Sequence, residues 1–328
     1  MSALIAAGIP SPSQGVWYLG PIPLRAYGII IAAGMIIGVW WTARRYRDRG
    51  GNPDTLYDAA LWAIPLGVVG ARIYHVITSP DAYFGPGGDP MLAFQIWRGG
   101  LGIWGGVAFG ALGVYIAVKR AGVRLGPIAD SLAPALLVAQ AIGRWGNWFN
   151  QELFGAPTTM PWGLQIDAAH MPAGYPAGTL FHPTFLYESL WNLLGVALLL
   201  WLGRKGVLKL GQTLWLYVFY YGVGRLFIEM FLRIDTSEML WGVRIHVWTA
   251  LLLVLLGAAG FVVAGRRAAA KAAAGIEPAP AEFAPKPAAD ESAEDAEEKA
   301  AEKVSEKASK KAEPAEDSDS SESSTKGS

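Results

Sequence analysis

The 328-residue chain contains no cysteine and only four histidines. The absence of cysteine excludes disulfides, cysteine-based metal sites and a catalytic thiol. None of the histidines has a partner at the spacing of metal ligands, so no metal is expected, and nothing in the sequence predicts a cofactor. The chain also lacks a Gly-x-Ser-x-Gly element, which argues against a serine hydrolase. The N-terminal segment lacks the charged start and apolar stretch of a cleaved signal peptide, so we expect the mature chain to begin at or near Met1.

The C-terminal segment has little besides Ala, Glu, Lys, Ser, Asp and Pro, and Phe283 is its one aromatic residue. Such a composition cannot bury enough apolar surface to offset the entropy lost on ordering. We therefore predict a transmembrane domain at 1–267 and a disordered acidic tail at 268–328, and the sequence does not identify partners for the tail. The zero net charge conceals this asymmetry, because residues 1–270 hold 19 of the 27 basic residues but 12 of the 27 acidic ones.

Seven apolar stretches are long enough to cross a bilayer as helices, each of about 17 to 25 residues. They lie at 24–43, 57–77, 100–118, 127–143, 184–203, 211–231 and 246–265. We therefore predict an all-α polytopic membrane protein with seven transmembrane helices. The internal repeat that marks many transporters is not evident.

Basic residues predict the orientation of these helices. If the seven spans alternate, thirteen basic residues fall on one side: Arg44, Arg45, Arg47, Arg49, Lys119, Arg120, Arg124, Arg204, Lys205, Lys209, Arg266, Arg267 and Lys271. The opposite loops hold only Arg98, Arg233 and Arg244, and Arg25 and Arg144 lie at span ends. The positive-inside rule then places the N-terminus outside and the C-terminus in the cytoplasm. The segment 144–183 becomes an outer loop, and loops of that length are usually functional.

A polar cluster stands at the end of the fourth apolar stretch. Residues 143–155 read Gly-Arg-Trp-Gly-Asn-Trp-Phe-Asn-Gln-Glu-Leu-Phe-Gly, which combines a cation, amides and a carboxylate. An ionised side chain at the bilayer centre costs about 2.5 to 3.5 kcal/mol on insertion scales. We therefore predict a functional site at the outer end of this span.

The sixth span carries a second constellation. Tyr217, Tyr221, Arg225 and Glu229 recur every four residues, so they share one face of a helix. An Arg and a Glu inside a spanning helix indicate a functional pair that faces the protein interior or a wet cavity. The alternative is an ion pair that only fixes helix packing.

Three arginines are predicted to converge on an outward-opening cavity: Arg72, Arg144 and Arg225. Guanidinium groups match phosphate oxygens with bidentate geometry, and the natural anionic ligand in a membrane is a phospholipid head group. Simpler alternatives exist for some candidates. Arg72 can snorkel to the interface, Tyr27 can serve as an interfacial anchor, and Glu188 can act on the dipole at a helix start.

These segments, in this order, resemble the prolipoprotein diacylglyceryl transferase family over residues 15–265. The most specific shared element is Gly-Arg-x-Gly-Asn-x-x-Asn-x-Glu, found here as Gly143, Arg144, Gly146, Asn147, Asn150 and Glu152, followed by Gly155. Further matches are His182-Pro183-Thr184 with Tyr187-Glu188, Tyr221-Gly222 with Arg225 and Glu229, and Arg98-Gly99-Gly100-Leu101.

The resemblance implies an enzyme of the bacterial cytoplasmic membrane whose residues 1–267 are catalytic and whose site opens toward the outer face. The family transfers the diacylglyceryl group of phosphatidylglycerol to the lipobox cysteine thiol of a preprolipoprotein. The products are a thioether and glycerol 1-phosphate, and the reaction is the first step of lipoprotein maturation. The reactive sulfur belongs to the substrate, so the enzyme needs no cysteine. The implied partners are phosphatidylglycerol, lipobox segments and membrane lipids, and no nucleic acid.

The resemblance also implies roles for individual residues. The catalytic candidates are Arg144, Arg225, Glu229, Tyr27, Asn147 and Glu152. The candidates for binding phosphatidylglycerol are Arg144, Arg225, Asn147, Asn150, Tyr221, Arg72 and Gly155. We hypothesise that Arg144 and Arg225 clamp the phosphate, that the asparagines orient the head group and that the tyrosines donate hydrogen bonds.

The chain departs from the family at one position. Many members carry a histidine in a Gly-Gly-Leu-x-x-His-Gly-Gly stretch, and here Trp104 stands in its place. Either another residue accepts the proton of the thiol or no dedicated base is needed. Glu229 is the first candidate, although spacing in the sequence does not separate it from Glu152.

Other classes of membrane protein fit less well. A phospholipid transporter or flippase also needs outward-facing arginines, but paired broken helices are missing. A retinal-type receptor needs a lysine in its last span, and 246–265 contains none. An intramembrane protease needs an activated Ser or paired Asp, whereas Asp58 and Asp130 lie at cytoplasmic helix starts and resemble caps.

Overall fold

The fold is built mainly from α-helices, in a computed structural model that describes residues 8–234 and 238–275. The long helices within these ranges are α1 (Ala26–Arg47), α2 (Asp54–Thr78), α4 (Ile103–Arg120), α5 (Leu125–Asn150), α6 (Thr184–Arg204), α7 (Gln212–Phe231) and α8 (Ile245–Ala273). A short helix α3 (Asp81–Phe84) and two 3-10 turns (Pro90–Phe94 and Ile96–Arg98) lie between α2 and α4.

Three short antiparallel hairpins lead into helices. They pair β1 (Val16–Leu19) with β2 (Ile22–Arg25), β3 (Leu164–Gln165) with β4 (Leu180–Phe181), and β5 (Met239–Leu240) with β6 (Val243–Arg244). They precede α1, α6 and α8 respectively. Single bridges, Ile9 with Leu164 and Gly155 with Arg233, tie the connecting segments together.

Each predicted span coincides with a helix of the structure. Five of the described helices, α1, α2, α5, α6 and α8, are long and apolar enough to cross a membrane. The chain is therefore a mostly helical protein with several candidate membrane spans, which agrees with the predicted polytopic class. The count of seven and the orientation stay predictions.

The helix α5 continues to Asn150, beyond the predicted end at 143. The prediction of a loop from 144 was therefore wrong at its start, because residues 143–150 of the polar cluster form the last two turns of a helix and only 151–155 follow it. Packing against α1 explains the extension, since a Cβ on Gly143 would lie 3.3 Å from Ile31, and one on Gly146 2.7 Å from Tyr27. Tertiary contacts of this kind stabilise a helix beyond its apolar run.

The helix α8 also runs past the predicted domain boundary at 267/268, ending at Ala273. Its last turns contain small and basic residues, which have good helix propensity even without an apolar face. The remainder of the predicted tail, from residue 276, lies outside the described residues.

Helix packing makes α5 the central element. It packs on α1 and α6 and also contacts α7, while α2 pairs with α4 and α7 pairs with α8. The α2–α4 pair is tight because glycines face each other, and a Cβ on Gly105 would lie 2.1 Å from the carbonyl oxygen of Gly70.

The helices α5 and α7 are held in register at the end opposite the polar cluster. Asp130 of α5 accepts hydrogen bonds from the backbone N–H of Gly211 at 2.6 Å and of Leu214 at 3.1 Å. It therefore caps the start of α7, whereas the sequence had suggested that it caps its own helix. Arg144 follows Asp130 by 14 residues and Arg225 follows Gly211 by 14 residues. At about 1.5 Å per residue, both arginines therefore stand about 21 Å from the same anchor.

Replacing Asp130 by alanine should destabilise the fold, because two amides at the start of α7 lose their acceptor. We expect the free energy of unfolding to fall by about 1 to 2 kcal/mol. Thermal unfolding in detergent measures this. Asp58→Ala, which removes an exposed carboxylate from the second turn of α2, is the matched control and should change stability far less. Equal melting temperatures for the two variants would contradict the capping role.

Candidate active site

Glu188, one turn into α6, is the centre of a buried ion-pair cluster. Its Oε2 lies 2.7 Å from Nη2 of Arg144 and 3.6 Å from Nη1 of Arg225. Its Oε1 accepts a hydrogen bond of 3.0 Å from Nη2 of Arg233. The arginines come from α5, α7 and the segment after α7. A single carboxylate therefore joins three separate parts of the chain.

A second buried carboxylate, Glu229, pairs with Arg225 one turn earlier on α7. The side chains of Arg144 and Arg225 remain 16% and 21% exposed, whereas that of Arg233 is 1% exposed. Among the described residues, three arginines thus meet two buried carboxylates. Arg144 and Arg225 are the more exposed of the three arginines, and guanidinium donors in such a position suit phosphate oxygens.

Two tyrosines complete the surroundings of Arg144. Tyr221 of α7 shares a hydrogen bond with Arg144, and Tyr27 at the start of α1 lies near it. Gly146 allows Tyr27 to lie this close to α5, because a side chain at position 146 would overlap the Tyr27 ring. Gly143 and Gly146, the two glycines of the Gly-Arg-x-Gly motif, therefore let α1 pack closely on α5.

The two motif asparagines bind the same carboxylate. Nδ2 of Asn147 donates to Oε1 of Glu152 at 2.9 Å, and Nδ2 of Asn150 donates to the same oxygen at 3.3 Å. Asn147 is buried, whereas Glu152 is exposed. Unlike the carboxylates of the arginine cluster, Glu152 is thus bound by neutral donors at the surface of the site.

A tight turn follows α5 and folds residues 151–153 back against the end of that helix. Gln151 and Leu153 both adopt left-handed backbone conformations, with φ of 51° and 58°. The Gln151 side chain is fixed by Asp167, since its Nε2 donates to Oδ2 at 2.6 Å and its Oε1 accepts from the Asp167 N–H at 2.8 Å. The Leu153 carbonyl then accepts from Nη1 of Arg233 at 2.9 Å and from the Thr184 hydroxyl. The turn therefore fixes one arginine of the cluster.

Gly155 holds this turn against the neighbouring segments through its backbone. Its N–H donates to the carbonyl of His182 at 2.9 Å, and a Cβ there would lie 2.8 Å from the His182 side chain. It also forms the bridge with Arg233. Its predicted contact with a lipid stays a prediction.

A cavity of about 490 Å³ opens beside the arginines, between α6 and α7. It exists because α6 packs mainly on α5 and α7 mainly on α8, which leaves a cleft between the two helices. Glu188, Tyr221 and Arg225 form its polar end. Its apolar walls include Trp191, Phe227 and Ile228. The cavity therefore combines a cationic end with an apolar interior.

The structure gives Arg72 a different environment from the other two candidate arginines. Nε donates to the carbonyl of Ala93 at 2.8 Å, and Nη1 donates to those of Gly99 and Gly100 at 2.6 and 2.9 Å. Nη2 donates to the carbonyl of Leu92. The guanidinium is buried and organises the loop before α4, so neither the predicted convergence nor snorkelling describes it. Its predicted role as a lipid ligand is not supported by this geometry.

The structure thus brings most predicted residues together and adds two, Glu188 and Arg233. Arg144, Arg225, Glu229, Tyr27 and Tyr221 surround the cluster, and the asparagines bind Glu152 at its edge. Sequence reasoning named Glu188 within a family motif, with a dipole role at the helix start as the alternative, and counted Arg233 as a loop charge. A signal for Arg233 was present, because the spacing of four that links Arg225 to Glu229 continues to Arg233.

The fold and the site define a class of protein before any comparison. A helical membrane protein with a partly exposed arginine at the end of an apolar cavity, and a second arginine on the same carboxylate, is suited to an anionic amphiphile. Its head group fits the arginines and its chains fit the cavity. Among the residues that the structure describes, no group of three His, Asp or Glu is arranged to hold a metal ion.

Comparison of sequences identifies the family. Residues 14–263 match the prolipoprotein diacylglyceryl transferase family, and the chain belongs to this family of transferases. It is 52% identical over 261 residues to phosphatidylglycerol–prolipoprotein diacylglyceryl transferase 2 of Streptomyces coelicolor, covering 80% of this chain and 82% of the relative.

Two further relatives carry the corresponding name. The protein of Frankia alni is 51% identical over 264 residues, which cover 80% of this chain and 69% of the relative. The protein of Bifidobacterium adolescentis is 46% identical over 269 residues, which cover 78% of this chain and 80% of the relative. The similarity therefore includes all helices that carry the site.

Replacing Glu188 by glutamine should strongly destabilise the protein, because it leaves three arginines with too little negative charge. Removing one partner of a buried ion pair costs about 3 to 5 kcal/mol, which thermal unfolding in detergent can detect. Adding Arg233→Gln should cost less in this background than alone, because the pair between Arg233 and Glu188 is already broken there. Glu238→Gln, at an exposed position, is the control. A Glu188→Gln protein that melts like the wild type would overturn the central role of this carboxylate.

Proposed function

We propose that the chain transfers the diacylglyceryl group of phosphatidylglycerol to the lipobox cysteine of preprolipoproteins. Membership of the transferase family and the names of its relatives support this reaction. The observation in the structure that carries it is the pair of partly exposed arginines held by Glu188, because Glu188 and Arg225 form the polar end of an apolar cavity and Arg144 binds the same carboxylate. The substrates are accordingly phosphatidylglycerol and a lipobox segment.

The reaction exchanges one bond for another. The thiol sulfur attacks the glyceryl carbon that bears the phosphate, the carbon–oxygen bond to phosphate breaks, and a thioether forms. The leaving group is glycerol 1-phosphate, and the thiol proton passes to an acceptor. The bond electrons move onto the phosphate oxygen, so negative charge grows there as the bond breaks.

Arg144 and Arg225 bind the phosphate and stabilise this growing charge. Both contact Oε2 of Glu188, so their guanidinium groups are already oriented toward one point before the lipid binds. Preorganised charge of this kind needs no rearrangement during the reaction and is therefore effective in catalysis. Tyr221 and Tyr27 hold the Arg144 side of the clamp.

Glu152 is the better candidate for the proton acceptor. Glu229 is 2% exposed and paired with Arg225, so its protonation would break a buried ion pair. Glu152 is exposed and bound by the amides of Asn147 and Asn150, so a proton can reach it without loss of an ion pair. Trp104, at the start of α4, has no basic nitrogen and cannot take this role.

The orientation follows the distribution of basic residues. We place the N-terminus and the arginine cluster on the outer side of the bacterial cytoplasmic membrane, with seven spans. The three hairpins and the site then share the outer side, and the thirteen basic residues face the cytoplasm. This arrangement gives a secreted preprolipoprotein and a lipid head group access to the same site.

Lysine at either clamp position should impair transfer, because it keeps the charge but loses the bidentate fork. Purified protein with phosphatidylglycerol and a lipobox peptide should release glycerol phosphate and increase the mass of the peptide. We expect Arg144→Lys and Arg225→Lys to slow this by about a hundredfold or more, and the alanine variants to abolish it. Arg204→Lys, at the far end of α6, should retain the wild-type rate. Full activity in either clamp variant contradicts the mechanism.

The absence of cysteine allows a direct test of orientation, because any introduced cysteine is the only thiol of the protein. Ala173 and Ala121 are exposed loop residues on opposite predicted sides. In intact spheroplasts, a membrane-impermeant maleimide should label Ala173→Cys, and should label Ala121→Cys only after permeabilisation. The reverse pattern would place the site on the cytoplasmic side.

A further inference from the structure

Asn192 is a buried polar residue of the cavity that the transfer mechanism does not use. It lies one turn beyond Glu188 on α6, lines the cavity and is 2% exposed. Its Nδ2 has no hydrogen-bond partner among the residues that the structure describes. An amide donor that is buried without an acceptor costs free energy, and this cost is greater in a membrane, where water is scarce. Its presence beside the site indicates an acceptor supplied by a ligand.

The position of Asn192 identifies the part of the lipid that can supply this acceptor. Four residues along α6 from Glu188 correspond to about 6 Å, which is one helical turn. The predicted orientation makes this direction point into the membrane. A lipid whose phosphate lies at Arg144 and Arg225 has its glycerol backbone and ester groups immediately below. The ester carbonyl oxygens accept hydrogen bonds and cannot donate them, which matches an unpaired N–H.

The neighbours of Asn192 fit the remainder of the lipid. Trp191, Phe227 and Ile228 supply apolar walls, and Phe227 is 56% exposed, so the cavity reaches the surface that faces the lipid. An acyl chain can therefore leave the cavity between α6 and α7, while the ester group at its head stays beside Asn192. The cleft between these helices provides the path.

We propose that Nδ2 of Asn192 donates a hydrogen bond to an ester carbonyl of the diacylglyceryl group. This proposal rests on the proposed transfer reaction. The arginines hold the phosphate on one side of the reacting glyceryl carbon, and Asn192 holds the ester on the other side. Two fixed points restrict the rotation of the glycerol backbone, which aligns the carbon with the attacking thiol. The site then selects diacyl over dialkyl lipids.

Two phosphatidylglycerols with equal chain lengths test this selection, one with ester-linked and one with ether-linked chains. The bond that breaks is the same in both, but the ether lipid has no carbonyl to accept the hydrogen bond. For the full-length enzyme with a lipobox peptide, we expect kcat/KM to be about tenfold higher for the ester lipid, which is the size of one hydrogen bond. Equal values for the two lipids overturn the proposal.

Asn192→Leu keeps a similar volume and removes the donor. It should lower kcat/KM for the ester lipid by about the same tenfold and leave the value for the ether lipid unchanged. The melting temperature of the lipid-free variant should be equal or higher, because an unpaired buried donor is gone. Equal losses for both lipids, or a lower melting temperature, indicate a packing role and contradict the proposal. Asn192→Met provides a second, more adaptable side chain if the leucine variant does not fold.

Gln140→Leu is the matched control. Gln140 of α5 also has a buried unpaired atom, Oε1, but this atom is an acceptor, while its Nε2 donates to the hydroxyl of Tyr217 at 3.0 Å. An acceptor cannot bind an ester carbonyl, so this variant should keep the preference for the ester lipid. Loss of the preference in this variant also overturns the assignment to Asn192. Failure of the transfer reaction itself appears differently, as no thioether formed from either lipid by the wild-type enzyme.

Discussion

The site depends on one carboxylate, Glu188, which binds arginines from three parts of the chain. A buried ion cluster is a poor source of stability, because desolvation offsets much of the attraction between the charges. Its value here is geometric. Arg144 and Arg225 approach the same oxygen of Glu188, so two like charges are held close together at the cavity. A phosphate that binds between them relieves their repulsion, and the protein carries this arrangement before the substrate arrives.

This arrangement requires the helices to stand at the correct height, and the structure fixes that height far from the site. Asp130 joins α5 to the start of α7, and each helix then rises by the same number of residues to its arginine. At the other end of these helices, the turn around Gln151 and Leu153 fixes Arg233 and returns Glu152 to the asparagines. The clamp is therefore held at both ends of the bundle, which limits the freedom of its guanidinium groups.

The sequence was sufficient to locate the helices, because their apolar runs are long, and to pair Arg225 with Glu229, because spacing of four is local. It was insufficient for features that tertiary contacts create. The last turns of α5 form against Tyr27 and its neighbours, although the apolar run has ended. Arg72 binds carbonyls of a loop that leaves no pattern in the sequence. Glu188 looks like an ordinary residue near a helix start until the fold brings three arginines to it.

The missing histidine at Trp104 is compatible with transfer for a chemical reason. A phosphodiester becomes a phosphate monoester when its glyceryl carbon–oxygen bond breaks, so the product gains an oxygen that can carry a proton. The acceptor of the thiol proton therefore needs to hold it only briefly, and the proton can leave with the product. A weak base at the exposed edge of the site suits this task better than a buried ion pair does. Glu152, bound by the neutral amides of Asn147 and Asn150, meets both conditions, so the clamp and the acceptor can be separate residues.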